Sequence, residues 1–365
     1  MDSTLSLLCD LIAIDSVNPG LVPGAAGERA ISEALVIELR RLGADVELTE
    51  IAPGRWNVVG VLTGRAKGRT LMLCGHSDTV GVEGMDAPFT PVVKDGRIYG
   101  RGAQDMKGGC ASILGAARAI VERGGLERGS LIMAFVADEE YMSIGAEAVA
   151  KQWRADGAII TEPTDLMIAV GHKGFQWVEV TTHGRAAHGS RYDEGKDAIV
   201  AMAPILNGLR MLEQRFTAAP PHPLLGRPSV HASLISGGRE LSTYPDRCTL
   251  QLERRTVDGE PDDIALQEVR TFSGDADIRP LFTRAPYLTP GSSELPQLLE
   301  TAMGGNVRRG AMTYWTDAAI LGHAGIPTVI FGPGGEGLHG ISEYVRAEEV
   351  VACREALVRV ANDFA

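Results

Sequence analysis

The sequence predicts an α/β fold in which a mostly parallel sheet is covered by helices on both faces and a smaller α+β unit is inserted. Three observations predict it. The chain has 365 residues, which exceeds the usual size of one hydrophobic core. Helix-like and strand-like segments alternate from the N-terminus onward. Between about Phe175 and a turn-rich segment at residues 286–290, this alternation changes to a different order of strands and helices.

The spacing of apolar residues justifies each element of the larger unit. Apolar residues at helical spacing predict a first helix from Leu5 to Ile12 and a second helix around Leu35. A further helix is predicted at residues 108–122 and a last one after Arg346. Short apolar runs predict strands at residues 56–62, 70–75, 130–137, 157–161 and 326–331.

The inserted unit has its own pattern. It begins with a strand of alternating apolar positions, followed by a helix near residues 197–214, two more strands and a helix near residues 262–272. We therefore expect a discontinuous first domain, residues 1–174 and 287–365, and an inserted domain, residues 175–286.

The composition excludes several classes of partner. A net charge of −12 argues against nucleic acid and anionic membranes, because both require clustered Lys and Arg. No apolar run reaches the roughly 18 residues of a membrane span, and the N-terminus lacks the basic segment of a signal peptide. Five dispersed cysteines without a C-x-x-C pair fit free thiols in a reducing compartment, so we expect a cytoplasmic protein. Small molecules are the expected ligands.

Histidines and carboxylates recur where the predicted strands end. His76 and Asp78 follow the strand at residues 70–75, at the kind of strand end where open α/β sheets bind ligands. An imidazole that binds a metal through one ring nitrogen needs an acceptor for the N–H of its other nitrogen, and Asp78 is near enough to supply it. A surface cap or a satisfied turn is the alternative for such a pair.

Three further segments add acidic residues and a histidine. Asp105 lies in a glycine-rich segment that opens a helix, where it is either a helix cap or a carboxylate exposed by a sharply bent backbone. Asp138, Glu139 and Glu140 follow one strand, Glu162 follows another, and His339 comes after the last. Each alone could be a cap or a solvated loop. Their recurrence at strand ends favours a metal site, and mixed imidazole and carboxylate ligands suit Zn²⁺, Co²⁺ or Mn²⁺.

Together these segments resemble the M20 metallopeptidase family over essentially the whole chain. The resemblance is carried by Gly75-His76-Ser77-Asp78-Thr79-Val80, by Gly100-Arg101-Gly102 through Asp105-Met106-Lys107-Gly108, by Asp138-Glu139-Glu140 and by His339. It implies that Asp105 bridges two metal ions. His76 and Glu162 would complete one metal site, and Glu140 and His339 would complete the other. It also implies that Asp78 orients His76, that Glu139 is the general base and acid, and that the peptide after Asp105 is cis.

The resemblance further implies that the inserted domain is a lid and dimerisation domain, and that the protein is a homodimer through it. His188, in Gly184-Arg185-Ala186-Ala187-His188-Gly189, would stabilise the developing oxyanion in the partner's active site, with an ordinary loop histidine as the alternative. Arg255 would bind the α-carboxylate of the substrate. Ser242 stands where many relatives carry Asn, so substrate contacts cannot be copied from them.

The function that this resemblance implies is a two-metal N-acyl-amino-acid amidohydrolase of the acetylornithine deacetylase type. Three ligand carboxylates against two divalent cations leave one positive charge, which favours a bound hydroxide, and Glu139 would pass its proton to the leaving amine. The resemblance makes Glu162 the discriminating residue: deacetylase, desuccinylase and carboxypeptidase G2 types tend to carry Glu there, whereas dipeptidases and aminoacylases tend to carry Asp and N-carbamoyl hydrolases His. The alternatives are a metallo-carboxypeptidase or dipeptidase acting on short peptides, and a non-catalytic binding homologue, against which the intact Glu139 argues.

Overall fold

The computed structural model describes all residues, from Met1 to Ala365. Its helices are α1 (Ser3–Ile12), α2 (Arg29–Arg41), α3 (Gly108–Glu122), α4 (Ile144–Gln152), α5 (Ala198–Ala201), α6 (Ala203–Ala218), α7 (Ile264–Arg270), α8 (Leu295–Ala302), α9 (Ala318–His323) and α10 (Ala347–Phe364). No helix combines the length and the apolar character that crossing a lipid bilayer requires.

The strands are β1 (Asp45–Ala52), β2 (Arg55–Thr63), β3 (Ala66–His76), β4 (Val92–Lys94), β5 (Arg97–Tyr99), β6 (Arg128–Val136), β7 (Gly157–Ile160), β8 (Ile168–His172), β9 (Gly174–His183), β10 (Ser229–Gly237), β11 (Arg247–Thr256), β12 (Asp277–Arg284), β13 (Tyr287–Leu288), β14 (Arg309–Met312), β15 (Thr328–Ile330), β16 (Gly335–Glu336) and β17 (Tyr344–Arg346).

The chain divides into two compact units. The large unit comprises Met1–Gly171, Thr289–Ala311 and Thr316–Ala365. The insert unit comprises His172–Leu288 and Met312–Trp315. That the insert unit acts as a lid and a dimerisation domain stays a prediction.

The main sheet of the large unit has the strand order β1-β2-β6-β3-β7-β15-β8. The four central strands β6, β3, β7 and β15 run parallel, whereas β1, β2 and β8 join the sheet antiparallel. Helix α3 lies in the connection from β3 to β6 and α4 in the connection from β6 to β7, as parallel neighbours require. The α/β prediction is thus confirmed, with the parallel part confined to the centre of the sheet.

The core of the large unit lies between this sheet and its helices. Helix α3 packs against α1 and α10. Leu8 of α1, Ile113 of α3 and Leu357 of α10 are fully buried, as are Leu73 of β3 and Phe135 of β6. Central strands buried on both faces are typical of parallel sheets covered by helices. The end of this sheet is therefore a rigid platform for whatever follows each strand.

The insert unit contains a four-stranded antiparallel sheet in the order β10-β11-β9-β12. Val178, Leu250 and residues of α5, α6 and α7 form its core. The single helix predicted at residues 197–214 is in fact two helices, α5 and α6, separated at Met202. Pro204 explains the break, because proline has no amide hydrogen to donate and is tolerated only in the first turn of a helix.

Candidate metal centre

The candidate centre lies at the carboxyl end of the parallel strands. His76, the last residue of β3, pairs in register with Val136, the last residue of β6. Strand β7 lies on the other side of β3 and ends two residues before Glu162. Because parallel strands end at the same edge of a sheet, His76, the acidic turn after β6 and Glu162 are brought together there.

Asp105 lies between the two histidines of this cluster. Its Oδ1 is 3.0 Å from Nε2 of His76, and its Oδ2 is 3.3 Å from Nε2 of His339. The His76 ring nitrogen is also 3.8 Å from Oε1 of Glu162, and the His339 ring nitrogen is 3.3 Å from Oε2 of Glu140. The five residues predicted as metal ligands are therefore neighbours in space, with one carboxylate shared between two groups.

Glu139 belongs to the same cluster. Ligand atoms of His76, Glu139 and Glu162 lie within 4.8 Å of one another, and the same holds for His76, Asp105 and Glu140. Each of these two overlapping groups of imidazole and carboxylate side chains can thus hold a divalent ion. Distances to Nε2 of His339 add this residue to the second group.

The backbone around Asp105 is bent, as the glycine-rich sequence suggested. Asp105 and Met106 have non-helical dihedral angles inside an irregular turn, Ala103–Lys107, that precedes α3. The peptide bond between them is cis. Gly102, with φ of +79°, begins this turn in a left-handed conformation that favours glycine.

Asp78 contacts His76 differently from the way the sequence suggested. The backbone carbonyl of Asp78 is 2.9 Å from Nδ1 of His76, whereas its carboxylate oxygen Oδ1 is 3.7 Å away. The carboxylate instead accepts hydrogen bonds from the backbone amides of Glu139 and Glu140, both at 3.2 Å. Asp78 therefore contacts His76 through its main chain and the acidic turn through its side chain, and its role in orienting His76 stays a prediction.

A buried polar network behind the acidic turn was missed by sequence reasoning. The side-chain amide of Asn18 donates to the carboxylates of Asp78 and Asp138, at 2.7 Å and 3.1 Å. Nη1 of Arg55 lies 2.8 Å from Oδ1 of Asp138, and its Nε donates to Glu28 at 2.9 Å. All five side chains are buried. No local sequence signal marks Asn18, which lies 60 residues from Asp78.

The protonation equilibria of the cluster reflect its crowding. Burial, reinforced by the Asp105 carboxylate, raises the pKa of Glu140 to about 7. Burial and the neighbouring Glu162 raise the pKa of Glu139 well above its usual value. Hydrogen bonds to Asp105 and Glu140 raise the pKa of His339 to about 10. The carboxylates repel one another and are stabilised by positive charge, which is the electrostatic requirement of a cation site.

One oxygen tests whether the residues fit a metal ion. Oε1 of Glu140 is buried and has no hydrogen-bond partner. A buried carboxylate oxygen without a donor is costly, and a coordinated cation would satisfy it. The imidazole and carboxylate donors suit Zn²⁺, Co²⁺ and Mn²⁺ alike. The residues present thus fit a divalent-metal centre.

The three remaining predicted site residues lie in the insert unit. His188 is exposed, and its Nδ1 is 2.9 Å from the hydroxyl of Ser190. Ser242 lies near His188 in space, because the carbonyl of Ser242 accepts a hydrogen bond of 2.7 Å from the amide of Gly189. Arg255 lies apart on β11, where its Nε is 2.6 Å from Oε1 of Glu253.

The chain resembles known proteins along nearly its whole length. Residues 72–363 match the model of peptidase family M20/M25/M40. The chain is 30% identical to N-formyl-4-amino-5-aminomethyl-2-methylpyrimidine deformylase of Bacillus subtilis, over 90% of this chain and 88% of that protein. It is 32% identical to acetylornithine deacetylase of Edwardsiella ictaluri, over 100% of this chain and 98% of that protein.

The fold is similar to that of a tripeptidase from Staphylococcus aureus, with a TM-score of 0.81 at 22% identity, covering 99% of this chain and 97% of that one. The motif-based family prediction is confirmed by the match over residues 72–363 and by the full-length similarity to the deacetylase. This chain belongs to the M20 family of peptidases.

Proposed function

We propose that this protein is a two-metal amidohydrolase that removes the acyl group from an N-acyl amino acid. Membership of the M20 family makes it a hydrolase of amide bonds. One observation carries the finer proposal: Asp105 directs one carboxylate oxygen toward His76 and the other toward His339. A carboxylate that bridges two cations requires this arrangement.

In this proposal His76, Asp105 and Glu162 hold one ion, while Asp105, Glu140 and His339 hold the other. When bound, two divalent ions lower the pKa of a water molecule and polarise the carbonyl of the scissile amide. Zinc is the proposed occupant, with cobalt or manganese as alternatives because the donors suit all three.

Glu139 is the proposed general base and acid. The backbone amide of Glu139 donates a hydrogen bond to the Asp78 carboxylate. This contact fixes the main chain from which the Glu139 side chain extends beside the cluster. Its ligand atom lies within 4.8 Å of those of His76 and Glu162, where a carboxylate can take a proton from water and keep it until the amine leaves. Glu139 would thus move one proton from the attacking water to the departing nitrogen.

Residues of the insert unit are proposed to complete the reaction and the assembly. His188 would stabilise the oxyanion, supported by its exposed position on a loop. Arg255 would bind the α-carboxylate of the substrate, and Ser242 would contact the substrate where relatives use Asn. A homodimer is supported by the edge strand β10, in which Leu234 and Ile235 are exposed and open to pairing with a second copy.

A peptidase that cleaves dipeptides or releases a carboxy-terminal residue is the second candidate. We retain this candidate because the tripeptidase from Staphylococcus aureus has a similar fold. Glu162 argues against the dipeptidase, because the resemblance gives Asp to dipeptidases at this position and Glu to deacetylase and carboxypeptidase G2 types alike. A non-catalytic binding protein is disfavoured because Glu139 and the five proposed ligands are all present. We also propose a cytoplasmic location, which the five free cysteines support.

The test is free-amine release from a panel of N-formyl, N-acetyl and N-succinyl amino acids, dipeptides and tripeptides. Protein loaded with zinc, cobalt or manganese is assayed with and without a chelator. Chelator-sensitive release from the acyl amino acids alone supports the deacylase, whereas release from peptides alone supports the second candidate. Silence from every metal form across the panel contradicts both.

A further inference from the structure

Arg101 and Glu343 form an ion pair beside the candidate metal centre. The proposed function assigns this ion pair no role. Nη1 of Arg101 lies 2.6 Å from Oε2 of Glu343, and the two side chains are 2% and 1% exposed. An ion pair this deeply buried loses the hydration of both charges, so it contributes little to stability unless each group is also well hydrogen-bonded. Its position next to the metal-ligand turn suggests another use.

Glu343 fixes the backbone that carries Asp105. Its Oε1 accepts hydrogen bonds from the amides of Gln104, at 2.8 Å, and Asp105, at 3.1 Å. Its Oε2 accepts from the amide of Gly102, at 3.0 Å, in addition to Arg101. Four donors thus surround one carboxylate: Arg101, the amide of Gly102, and two amides of the irregular turn that presents Asp105.

Arg101 connects the same carboxylate to the loop of His339. Its Nη2 donates a hydrogen bond of 3.1 Å to the carbonyl of Gly340. His339 has φ of +58°, a left-handed conformation that is rare for residues with a side chain and that needs support from its surroundings. The guanidinium fork therefore ties the residue next to His339 to the carboxylate that holds Asp105.

The two proposed ion sites differ in how they are supported. His76 ends a central strand and Glu162 follows another, and both side chains are nearly fully buried. His339 instead lies in the loop between the short strands β16 and β17, with a side chain that is 56% exposed. The first site is thus held by the sheet, whereas the second depends on a loop.

We infer that the Arg101–Glu343 pair is a positioning device that keeps His339 in register with Asp105 and so sets the affinity of the second ion site. The inference rests on the proposed two-metal centre. It assigns Arg101 and Glu343 no contact with the substrate or the ions. It predicts that the two sites can be separated by substitutions at residues that are not ligands.

Arg101→Lys is the sharpest variant. Lysine keeps the positive charge next to Glu343, but a single ammonium group cannot replace a planar fork that reaches Glu343 and Gly340 together. We expect the second zinc ion to bind at least tenfold more weakly, so that at limiting free zinc the content falls from two ions per chain toward one. Glu343→Gln should weaken both sites, because it releases the shared ligand Asp105.

The measurement is zinc content by inductively coupled plasma mass spectrometry after dialysis against chelator-buffered zinc at a series of free concentrations. Circular dichroism and thermal unfolding report whether each variant is folded. Glu268→Gln is the matched control, since Glu268 accepts a hydrogen bond of 3.0 Å from buried Arg254 in the insert unit. This control should lose thermal stability and still bind two ions.

The outcomes separate the inference from the proposed function. If wild-type protein binds no zinc at any concentration, the two-metal proposal fails. If wild-type protein and folded Arg101→Lys both bind two ions with equal affinity, the positioning inference is overturned. Should Arg101→Lys fail to fold, the double variant Arg101→Gln with Glu343→Gln leaves no unpaired buried charge and is measured in the same way. Two tightly bound ions in that double variant would also overturn the inference.

Discussion

The side-chain amide of Asn18 donates a hydrogen bond of 2.7 Å to the carboxylate of Asp78. The same nitrogen lies 3.1 Å from the carboxylate of Asp138, so one neutral amide separates two buried acidic groups. The Asp78 carboxylate in turn accepts hydrogen bonds from the backbone amides of Glu139 and Glu140. Asn18 therefore supports the acidic turn of the candidate metal centre through Asp78, without belonging to the predicted ligand set.

Asn18→Asp should destabilise the fold strongly. The substitution keeps the shape of the side chain but replaces its two donors with an acceptor and adds a third negative charge at a buried position. We expect the free energy of unfolding in urea to fall by about 3–5 kcal/mol, the range for an uncompensated buried charge. Asn18→Ala should cost about 1–3 kcal/mol, because it leaves acceptors unsatisfied without adding charge.

The matched control for Asn18→Asp is Asn207→Asp. Asn207 is exposed on α6, and its side-chain oxygen accepts a hydrogen bond of 2.9 Å from Arg210, an interaction that Asp can keep. The control should change the free energy of unfolding by less than about 0.5 kcal/mol, as is usual for surface sites. Equal effects at positions 18 and 207 would show that the Asn18 network contributes nothing specific.

The sequence was informative where a single segment carries both the fold and the chemistry. The helix predicted at residues 108–122 is α3, because a long run of small and apolar residues fixes its length. The strand predicted at residues 70–75 lies inside β3, whose last six residues are buried. Parallel strands end at one edge of the sheet, so locating their ends was enough to anticipate which side chains would meet.

The sequence was uninformative where structure depends on distant residues. Strand β1 was not predicted, because it is an edge strand with no buried position and no strong alternation. The antiparallel edges of the main sheet also leave no mark in the spacing of apolar residues. The contacts of Asn18 with Asp78 and of Arg101 with Glu343 join residues 60 and 242 positions apart. Patterns read within a short window cannot reveal such pairs.

Glu139→Gln should retain two metal ions and lose turnover. Glutamine has nearly the same shape but cannot take up a proton, so the step assigned to Glu139 is removed while the proposed ligands stay in place. General acid–base catalysis contributes about 10²–10⁴-fold, and we expect at least that loss in kcat. Kinetics and metal content are measured on the same preparation.

The contrasting variant is Glu140→Gln, one residue further along the same turn. Because Glu140 is a proposed ligand and its carboxylate lies 3.3 Å from His339, this variant should lose metal. Near-wild-type kcat in fully metallated Glu139→Gln, or in the fully truncated Glu139→Ala, would remove Glu139 from its proposed role.

His188→Ala should lower turnover without lowering the metal content. Removing one donor that stabilises an oxyanion typically costs about 10²–10³-fold in kcat. His183→Ala is the control, because His183 lies five residues earlier, is also exposed, and makes a contact of 2.7 Å with Asp277 that has no proposed part in the reaction. Loss of metal in His188→Ala, or equal kinetics in the two variants, would contradict the assignment of His188.

The edge strand β10 should carry the proposed dimer contact. Ile235 is 55% exposed on this strand, and a lysine on an edge strand blocks pairing with another sheet because its charge would be buried there. We expect the wild-type chain of 38.8 kDa to sediment as a dimer, and Ile235→Lys to raise the dissociation constant at least tenfold. Analytical ultracentrifugation over a dilution series measures both.

The control for this substitution is Ile37→Lys, at a similarly exposed position, 51%, on α2 of the large unit. It adds the same charge to the chain without touching β10. The dimer of this variant should therefore have the same dissociation constant as the wild-type dimer. If Ile37→Lys dissociates the dimer as well, the added charge and not the edge strand is responsible. If neither variant does so, the two copies meet through another surface, and the proposal that His188 acts in the partner's active site loses its structural basis.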